Sequence, residues 1–319
     1  MSPPLITVLG SLNMDLVSYV PHHPLPGETL TSTRFAVSPG GKGANQAIAC
    51  AKLSRSASSL TSTSSEPPTA LIRMLGAVGQ DTYGEQLRSN LSRHGVDVSG
   101  ISILPAHKTG LAIIIVDEPT GENRIVLSPG ANHSFSASAF SSLGSPPPAL
   151  LIMQLEIPLP TVASALRSAR AAGVAVLLNP APAQELPAEA YAALAHLVVN
   201  ETEAATLSGV SELDPKSQSA LESVGATLLG RGVRNLIVTL GGHGVFYMDA
   251  EGRKGLVPAE KAKVVDTTAA GDTFVGRYAL EVVSGAFDIE DAVRKANRAA
   301  AKTVERLGAQ DSIPWRDEL

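Results

Sequence analysis

The sequence predicts an α/β protein with a doubly wound, mostly parallel sheet flanked by helices, and with a small β-sheet lid added to it. Three observations support this prediction. Short apolar runs typical of buried strands alternate along the chain with segments of helical periodicity. Polar residues recur where these runs end, as expected when parallel strands share one edge of a sheet. Two weakly alternating stretches form a separate group that fits a smaller, exposed sheet.

The main sheet and its helices follow from the apolar periodicity. Strands of the main sheet are predicted at Leu5–Leu9, 71–78, 150–155, 174–178, 197–199 and 236–239. Helices are predicted from about residue 43 to 53 and over 83–94. A further helix is predicted from the apolar positions 274, 278 and 282, and the apolar residues 263–265 before it predict the end of another strand.

The lid is predicted within residues of about 15–38 and 108–128. Residues 29–37 alternate weakly, and 111–116 and 124–127 flank a turn, which predicts a hairpin that pairs with the 29–37 strand. Residues 1–319 are interpreted as one α/β domain carrying this lid. The Ser-, Thr- and Pro-rich residues 54–69 cannot bury a core and are predicted to be a flexible, low-complexity surface insertion.

Composition points to a protein that acts on small molecules. Hydrophobic residues make up 44% of the 319 residues, which is enough for a substantial core. The net charge is -5, and no long run of Lys and Arg is present, so we expect neither a nucleic-acid partner nor a membrane partner. No apolar run is long enough to span a membrane.

The single cysteine and the adjacent histidines are given structural interpretations. Cys50 lies in an apolar helical stretch, so we expect a buried thiol rather than a catalytic one. One cysteine and a start without a basic and apolar leader predict a reducing, cytoplasmic location, with the nucleus as an alternative. His22 and His23 lack a partner motif for metal binding, and their side chains point apart, so a solvated loop is expected.

Two glycine-rich turns lead into helices and are the candidate ligand contacts. The first, 38–45, reads Ser-Pro-Gly-Gly-Lys-Gly-Ala-Asn, and the second, 266–272, reads Asp-Thr-Thr-Ala-Ala-Gly-Asp. Small residues let a backbone approach a ligand closely, and free N–H groups at a helix start attract negative charge. A carboxylate at Asp272 beside such a cradle predicts a proton acceptor. The alternative is that Asp272 only caps the helix.

Polar residues collect at the carboxyl ends of the predicted strands. In a parallel sheet these ends share one edge, where α/β enzymes bind their ligands. The connections at the opposite edge of the sheet are short and carry few polar residues. The polar residues taken together therefore favour a cleft, although each of them alone would fit a helix cap. The set is Asn13, Asp15, Glu156, Asn179, Asn200, Thr239 and Asp272.

Taken together, these motifs resemble those of the ribokinase-like, phosphofructokinase-B-type carbohydrate kinases. The resemblance covers 10–15, 40–46, 153–156, 179–183, 200–203, 239–241, 266–272 and 308–310. Its most specific parts are the Gly-Gly-Lys-Gly-Ala-Asn turn and the Ala-Ala-Gly-Asp turn in this order. The Met-Gln-Leu-Glu and Asn-Pro-Ala-Pro-Ala stretches are typical of members that act on ribose. The resemblance implies ATP-dependent phosphorylation of D-ribose at its primary 5-hydroxyl, with ATP, Mg²⁺ and K⁺ as cofactors.

The resemblance also implies a role for each matched residue. The sugar would be bound by Asn13, Asp15, Gly41, Lys42, Asn45 and Glu156. Asp272 would be the base, and the amides of Ala269, Ala270 and Gly271 would receive charge. The nucleotide would contact Asn200, Thr239, Gly241, Gly244 and Asn297, and Glu203 would order Mg²⁺. The K⁺ loop would comprise Asp266, Thr268, Thr303, Arg306, Gly308 and Ser312, mostly through backbone carbonyls.

The expected mechanism is in-line attack of the sugar hydroxyl on the γ-phosphate, with positioning and charge stabilisation supplying most of the rate. Lid closure would exclude water, and exposed edges of the lid sheet would pair two chains into a homodimer. Two alternatives remain open: a kinase for another sugar or a nucleoside, and a sugar-binding protein without catalysis.

Overall fold

The computed structural model describes residues 2–60, 66–136, 138–140 and 142–319, which build one large and one small β-sheet. The first five strands of the large sheet, in chain order, are β1 (Leu5–Leu9), β4 (Leu71–Gly79), β5 (Val96–Leu104), β8 (Leu150–Met153) and β9 (Ala175–Leu178). Four follow: β10 (His196–Asn200), β11 (Asn235–Thr239), β12 (Val245–Asp249) and β13 (Lys254–Val257).

The large sheet has the order β13-β12-β11-β10-β9-β8-β1-β4-β5. The seven strands from β11 to β5 run parallel, and only β12 is reversed, pairing antiparallel with β11 and with β13. The chain starts in the interior of the sheet and builds outwards in both directions. The predicted doubly wound, mostly parallel sheet is therefore confirmed.

Helices cover both faces of the large sheet. In chain order they are α1 (Lys42–Leu53), α2 (Thr82–Arg93), α3 (Leu159–Ala172), α4 (Ala188–Tyr191), α5 (Glu201–Ser208), α6 (Gln218–Gly230), α7 (Ala270–Val282) and α8 (Ile289–Thr303). Alternate residues of β8 belong to opposite cores: Ile152 lies in the core that includes residues of α1, α2, α7 and α8, whereas Met153 lies in the core that includes residues of α3 to α6. This alternation explains why the strand is apolar throughout. None of the helices in the described ranges is long and apolar enough to cross a membrane.

A separate four-stranded sheet forms in the segments predicted for the lid, but its strand pairing differs from the expectation. Its strands are β2 (Asn13–Val20), β3 (Arg34–Gly40), β6 (Gly110–Asp117) and β7 (Asn123–Ser128), in the order β3-β2-β6-β7. The hairpin therefore pairs with β2 and not with the strand predicted at 29–37, which begins only at Arg34. The prediction failed because β2 mixes polar and apolar residues and gives a weak strand signal.

The predicted strand end at 263–265 is wrong. These residues form an irregular segment in which Val264 and Val265 are 64% and 48% exposed. The backbone N–H groups of Val265 and Asp266 both donate to the Val304 carbonyl, so the end of α8 holds the segment in place of a neighbouring strand. The second glycine-rich turn therefore joins a loop to a helix, rather than a strand to a helix.

The predicted insertion at 54–69 is only partly outside the fold. Ser54 and Arg55 are buried, and the Thr69 N–H donates to the Ser54 carbonyl. Residues Ala57–Leu60 form a short 3-10 helix, and the Ala57 N–H donates to the Asp317 carboxylate. The expectation of a flexible loop is wrong for Ser54 and Arg55, and its centre, 61–65, lies outside the described residues. Cys50 is a buried thiol, as predicted.

Candidate active site

The polar residues from which a cleft was predicted lie where β1, β8, β9, β10 and β11 end. Asn179 follows β9 directly, and Asn200 and Thr239 are the last residues of β10 and β11. Asn13 opens β2 after the short turn that follows β1, and Glu156 comes three residues after β8 ends. Parallel pairing brings these ends to one edge. Asp272 differs from the others because it reaches this edge from the first turn of α7.

The Asp272 carboxylate is buried and held at both oxygens. Oδ2 accepts a hydrogen bond from Asn45 Nδ2 at 3.0 Å, and Oδ1 accepts one from Gln46 Nε2 at 2.9 Å. The residue in the N-cap position of α7 is Ala269, and the structure shows no side-chain cap at this helix. The interpretation of Asp272 as a helix cap is therefore wrong. Its partners are two amides of a distant helix.

The backbone of the second turn is strained at Ala269. This residue has φ 60°, the left-handed region, and is the only non-glycine residue with positive φ in the described ranges. Such a conformation costs about 1–3 kcal/mol in a non-glycine residue and is typical of functional turns. The Ala270 N–H donates to the Thr267 carbonyl at 3.3 Å, a long bond. Gly271 is exposed, and a Cβ there would meet open space, so a ligand can approach the backbone.

The first turn needs its glycines because backbone passes against backbone. Gly41 has φ 86°, and a Cβ there would lie 2.7 Å from the Asn13 nitrogen. A Cβ at Gly43 would lie 2.6 Å from the backbone of both Gly10 and Ser11. This close packing sets α1 against the end of β1. It also aims Asn45 and Gln46, at the start of the helix, towards Asp272.

Glu156 organises a second polar cluster beside this turn. Its Oε2 accepts from Ser11 Oγ at 2.5 Å, from the Lys42 N–H at 3.1 Å and, more weakly, from Asn13 Nδ2 at 3.5 Å. Asn132 then anchors Asn13, because its Nδ2 donates to Asn13 Oδ1 at 2.7 Å. Asn132 also exchanges hydrogen bonds with the Leu12 backbone. Ser11 and Asn132 were missed, since a lone Ser or Asn in a turn gives no specific signal.

Negative charge is concentrated around the proposed sugar residues. Burial, together with the Glu156 and Asp272 carboxylates, raises the pKa of Asp15 to about 7. Burial alone would lower the pKa of Lys42, but the carboxylates of Asp272, Glu156 and Glu203 raise it above its ordinary value. Lys42 therefore stays protonated. The site combines one fixed cation with several carboxylates, an arrangement able to accept hydrogen bonds from several hydroxyl groups.

Asn200 and Glu203 form a reciprocal cap at the start of α5. Asn200 Oδ1 accepts from the Glu203 N–H at 2.8 Å, and Glu203 Oε2 accepts from the Asn200 N–H at 2.9 Å. Burial raises the pKa of Glu203. The described residues contain no cluster of three or more His, Cys, Asp or Glu side chains able to hold a metal ion. A buried carboxylate with few partners suits Mg²⁺, which usually takes one or two protein carboxylates and completes its shell with phosphates and water.

The nucleotide residues predicted after β11 line a glycine-rich corner. Thr239 Oγ1 donates to the Val199 carbonyl at 3.3 Å, which ties β11 to β10. Gly241 and Gly244 have positive φ, and a Cβ at Gly244 would collide with the Val257 carbonyl. Asn297 does not point freely into the cleft, because its Nδ2 donates to the Pro258 carbonyl at 2.8 Å. It fixes the segment after β13 to α8.

The predicted cation loop comes together around Asp266. Its Oδ1 accepts from the Thr268 N–H and hydroxyl, and its Oδ2 accepts from the Gly308 N–H at 2.9 Å. The other side chains of the set are engaged elsewhere. The Thr303 hydroxyl bonds to Thr273 and Ala299, the Ser312 hydroxyl bonds to Ala309, and the Arg306 guanidinium pairs with Glu318. Any cation bound here would therefore rely on backbone carbonyls, as the resemblance implies.

Comparison with known proteins assigns this architecture to a family. The model of the pfkB family carbohydrate kinases matches residues 3–316. A ribokinase from Schizosaccharomyces pombe is 42% identical over 314 residues, which cover 97% of this chain and 94% of that protein.

Solved structures agree with this assignment. The crystal structure of a ribokinase from Thermotoga maritima is 36% identical and matches with a TM-score of 0.81, covering 99% of this chain and 97% of that one. An Arabidopsis thaliana ribokinase complexed with ribose and ATP is 28% identical, with a TM-score of 0.84 over 99% of this chain and 97% of that one. The chain therefore belongs to the pfkB family of carbohydrate kinases.

Proposed function

We propose that this kinase transfers the γ-phosphate of ATP to the primary 5-hydroxyl of D-ribose, giving ribose 5-phosphate and ADP. The observation that carries the proposal is the buried Asp272 carboxylate, held by Asn45 and Gln46 at the edge of a polar cleft. The high identity to a ribokinase over almost the whole chain supports ribose as the sugar. The ribose and ATP bound by the Arabidopsis relative support the substrate pair.

The sugar side of the site would use the carboxylates and amides around the first glycine-rich turn. Asp15 and Glu156 would accept hydrogen bonds from ribose hydroxyls, and Asn13 and Asn45 would both donate and accept. Gly41 and Lys42 would complete this side of the site, with the backbone near Gly41 close to the sugar. A sugar with several hydroxyls matches this mixture of acceptors and donors. An apolar ligand would leave buried polar groups without partners, which is costly.

The nucleotide side would use the corner after β11 and the start of α5. Thr239, Gly241 and Gly244 would line the nucleotide, with Asn297 holding the segment near the adenine. Asn200 and Glu203 would hold Mg²⁺ and order phosphate oxygens. When bound, Mg²⁺ would neutralise charge on the phosphates. The loop of Asp266, Thr268, Thr303, Arg306, Gly308 and Ser312 would take K⁺ mainly through backbone carbonyls, and a bound cation would keep the second turn rigid.

The mechanism follows from the residues of the cleft. A carboxylate oxygen of Asp272 accepts the proton of the ribose hydroxyl as that oxygen attacks phosphorus in line. The amides of Ala269, Ala270 and Gly271, at the positive end of α7, stabilise charge on the transferring phosphoryl group. The Lys42 ammonium, beside three carboxylates, adds a further fixed positive charge. Closure of the β2, β3, β6 and β7 lid excludes water, whose attack would waste ATP.

A substrate panel tests the proposal. Purified protein with ATP and Mg²⁺ would be assayed with ribose, 2-deoxyribose, fructose and adenosine, with ADP formation as the readout and ³¹P NMR to locate the phosphate. We expect the highest kcat/KM for ribose and a phosphate on the 5-oxygen. Preference for another substrate would favour a related sugar or nucleoside kinase. Ribose binding without any ADP formation would favour a sugar-binding protein without catalysis.

A further inference from the structure

We propose that Gln46 is a positioning residue that fixes the plane of the Asp272 carboxylate through a chain of buried amides. The inference rests on the proposed function, because it assigns the source of the orientation that a general base needs. Gln46 is fully buried in the first turns of α1 and is not expected to touch the sugar. Its role would therefore be exerted through Asp272.

Gln46 has three side-chain partners in the described part of the chain, and they use both hydrogens of Nε2 and one acceptor site of Oε1. Its Nε2 donates to Asp272 Oδ1 at 2.9 Å and to Asn179 Oδ1 at 3.0 Å. Its Oε1 accepts from Gln154 Nε2 at 2.6 Å. The two hydrogens on Nε2 match the two oxygen acceptors. A flipped amide would place Oε1 against two oxygens, so only one orientation satisfies the site.

The orientation of Gln46 is imposed from the sheet. The Val198 carbonyl, in β10, can only accept, and Asn179 Nδ2 donates to it at 2.9 Å. Asn179 must therefore turn its Oδ1 towards Gln46, and Gln46 must donate to it through Nε2. The order of donors and acceptors thus runs without ambiguity from a backbone carbonyl of the central sheet to the proposed base.

A second chain reaches the other oxygen of Asp272 through Asn45. Asn45 Nδ2 donates to Asp272 Oδ2, and Asn45 Oδ1 accepts from Gln310 Nε2 at 3.0 Å. Gln310 Oε1 in turn accepts from Asn90 Nδ2 at 2.6 Å. Asn45 is also a proposed sugar ligand, so its substitution would mix two effects. Substitution of Gln46 tests the orientation of the base without removing a proposed sugar ligand.

The two chains leave Asp272 free to act as a base. A carboxylate has about four lone-pair sites, and Asn45 and Gln46 occupy one on each oxygen. The remaining sites can receive the hydroxyl proton. Without Gln46, only the bond from Asn45 to Oδ2 would hold the carboxylate, so the plane of the carboxylate would be less well fixed. Misplacement of a reacting group by about 1 Å can cost about a hundredfold in rate.

The first test compares Gln46→Met and Gln46→Glu with the parent protein by steady-state kinetics with ribose and ATP. For Gln46→Met, which removes both donors at similar volume, we expect kcat to fall about tenfold to a hundredfold with the KM for ribose nearly unchanged. For Gln46→Glu, a second carboxyl group beside Asp272 would share a proton with it. Its kcat relative to the parent should therefore decline as the pH is lowered from about 9 to about 6, whereas the ratio for Gln46→Met should stay flat.

A control and a second variant keep the test decisive. Gln218→Met changes an exposed glutamine whose side chain bonds to Glu222 alone among the described residues, and it should leave kcat and KM unchanged. If Gln46→Met does not fold, Gln154→Met removes the donor to Gln46 Oε1. Gln154 Oε1 has no partner in the described part of the chain, so the side-chain bond that this substitution breaks there is the one from Gln154 Nε2 to Gln46 Oε1. We expect a several-fold lower kcat for Gln154→Met.

The possible outcomes separate the inference from the proposed function. A parent protein that does not phosphorylate ribose contradicts the proposed function itself. If the parent is active, any one of three results contradicts the role of Gln46 and leaves the proposed function intact. These are a kcat within twofold of the parent in Gln46→Met, or in Gln154→Met where that variant replaces it; a loss confined to the KM for ribose; and a pH-independent ratio for Gln46→Glu.

Discussion

Two residues of the same type, Asp272 and Asp15, are suited to different roles because their neighbours differ. Asp272 has its two oxygens held by amides of α1, although 226 and 227 residues separate it from Gln46 and Asn45. Asp15, by contrast, has no such pair of side-chain donors in the described part of the chain, and it lies near two other carboxylates. The first arrangement suits a base that must stay oriented. The second suits a ligand for hydroxyl groups, which would supply the missing hydrogen bonds.

Asp15 makes stability depend on pH in a predictable direction. Because its folded pKa, about 7, lies above the ordinary value of 3.8, the folded protein binds more protons between these values. This contribution to stability is complete below pH 3.8 and is lost as the pH rises through about 7. Asp15→Asn should therefore raise the free energy of unfolding at pH 8 by about 1 kcal/mol or more, since one pKa unit corresponds to about 1.4 kcal/mol. It should also weaken ribose binding.

Thermal unfolding of the parent and Asp15→Asn between pH 4 and pH 8 checks this expectation. The gain in Tm should shrink towards pH 4, where Asp15 of the folded protein is protonated and uncharged. Asp214→Asn serves as the control and should show no such trend, because Asp214 is exposed and its side chain accepts, within the described ranges, only from the Lys216 N–H. An equal change in Tm at both pH values for Asp15→Asn would show that ionisation of Asp15 does not destabilise the folded protein, and it would contradict this expectation.

Two helices hold the two halves of the site together. α1 carries Asn45 and Gln46, and α7 carries Asp272, so their spacing sets the hydrogen bonds to the base. Gly276 permits this spacing, because a Cβ there would lie 2.5 Å from Ala49 Cβ and 2.9 Å from the Cys50 nitrogen. The Cys50 thiol also donates to the Gly276 carbonyl. The contact is thus built from small residues on both helices.

The exposed edge strand β7 of the small sheet indicates how two chains would associate. We propose that two chains form a homodimer through the lid sheets, because β7 is an edge strand whose residues are all exposed in the single chain. Ile125, Val126 and Leu127 are 53%, 63% and 44% exposed. An exposed apolar edge strand is a ready site for association.

Light scattering at micromolar concentration tests the dimer. We expect the parent to be a dimer and the double variant Ile125→Glu, Val126→Glu to be a monomer, because burying two carboxylates in an apolar interface is unfavourable. Leu256→Glu is a matched control, since Leu256 is also an exposed apolar residue of an edge strand, β13. It should remain a dimer. A monomeric parent, or a β7 variant that stays dimeric, would contradict the proposal.

The elements with a strong periodic signal were predictable from the sequence, and the others were not. Strand β1 and helix α1 were expected at almost their observed bounds, because their apolar patterns are continuous. Strands β5, β12 and β13 were missed. Residues of β5 and β13 are mostly exposed or half-buried and carry little apolar pattern, while β12 follows a glycine-rich turn that was interpreted as ligand contact.

At the scale of the whole molecule, the gathering of polar residues at one edge of the sheet was predictable, and the hydrogen-bonding network among them was not. The rule that parallel strands share one edge brought Asn179, Asn200 and Thr239 to the site. The contacts of Gln46 with Asp272 and of Asn45 with Gln310 join residues more than 220 positions apart. No local pattern encodes such pairs. They follow only from the tertiary packing that places α1 against α7 and against the segment after α8 that carries Gln310.

The central claim is that the cleft uses Asp272 for proton transfer while other groups bind ribose. Its most direct test is one comparison of Asp272→Asn with the parent, with kcat measured with ATP and Mg²⁺ and ribose binding measured by calorimetry. We predict that the folded variant binds ribose with nearly the parent affinity and turns over at least about a hundredfold more slowly, the lower end for loss of a general base. A folded variant that retains the kcat of the parent would contradict the account.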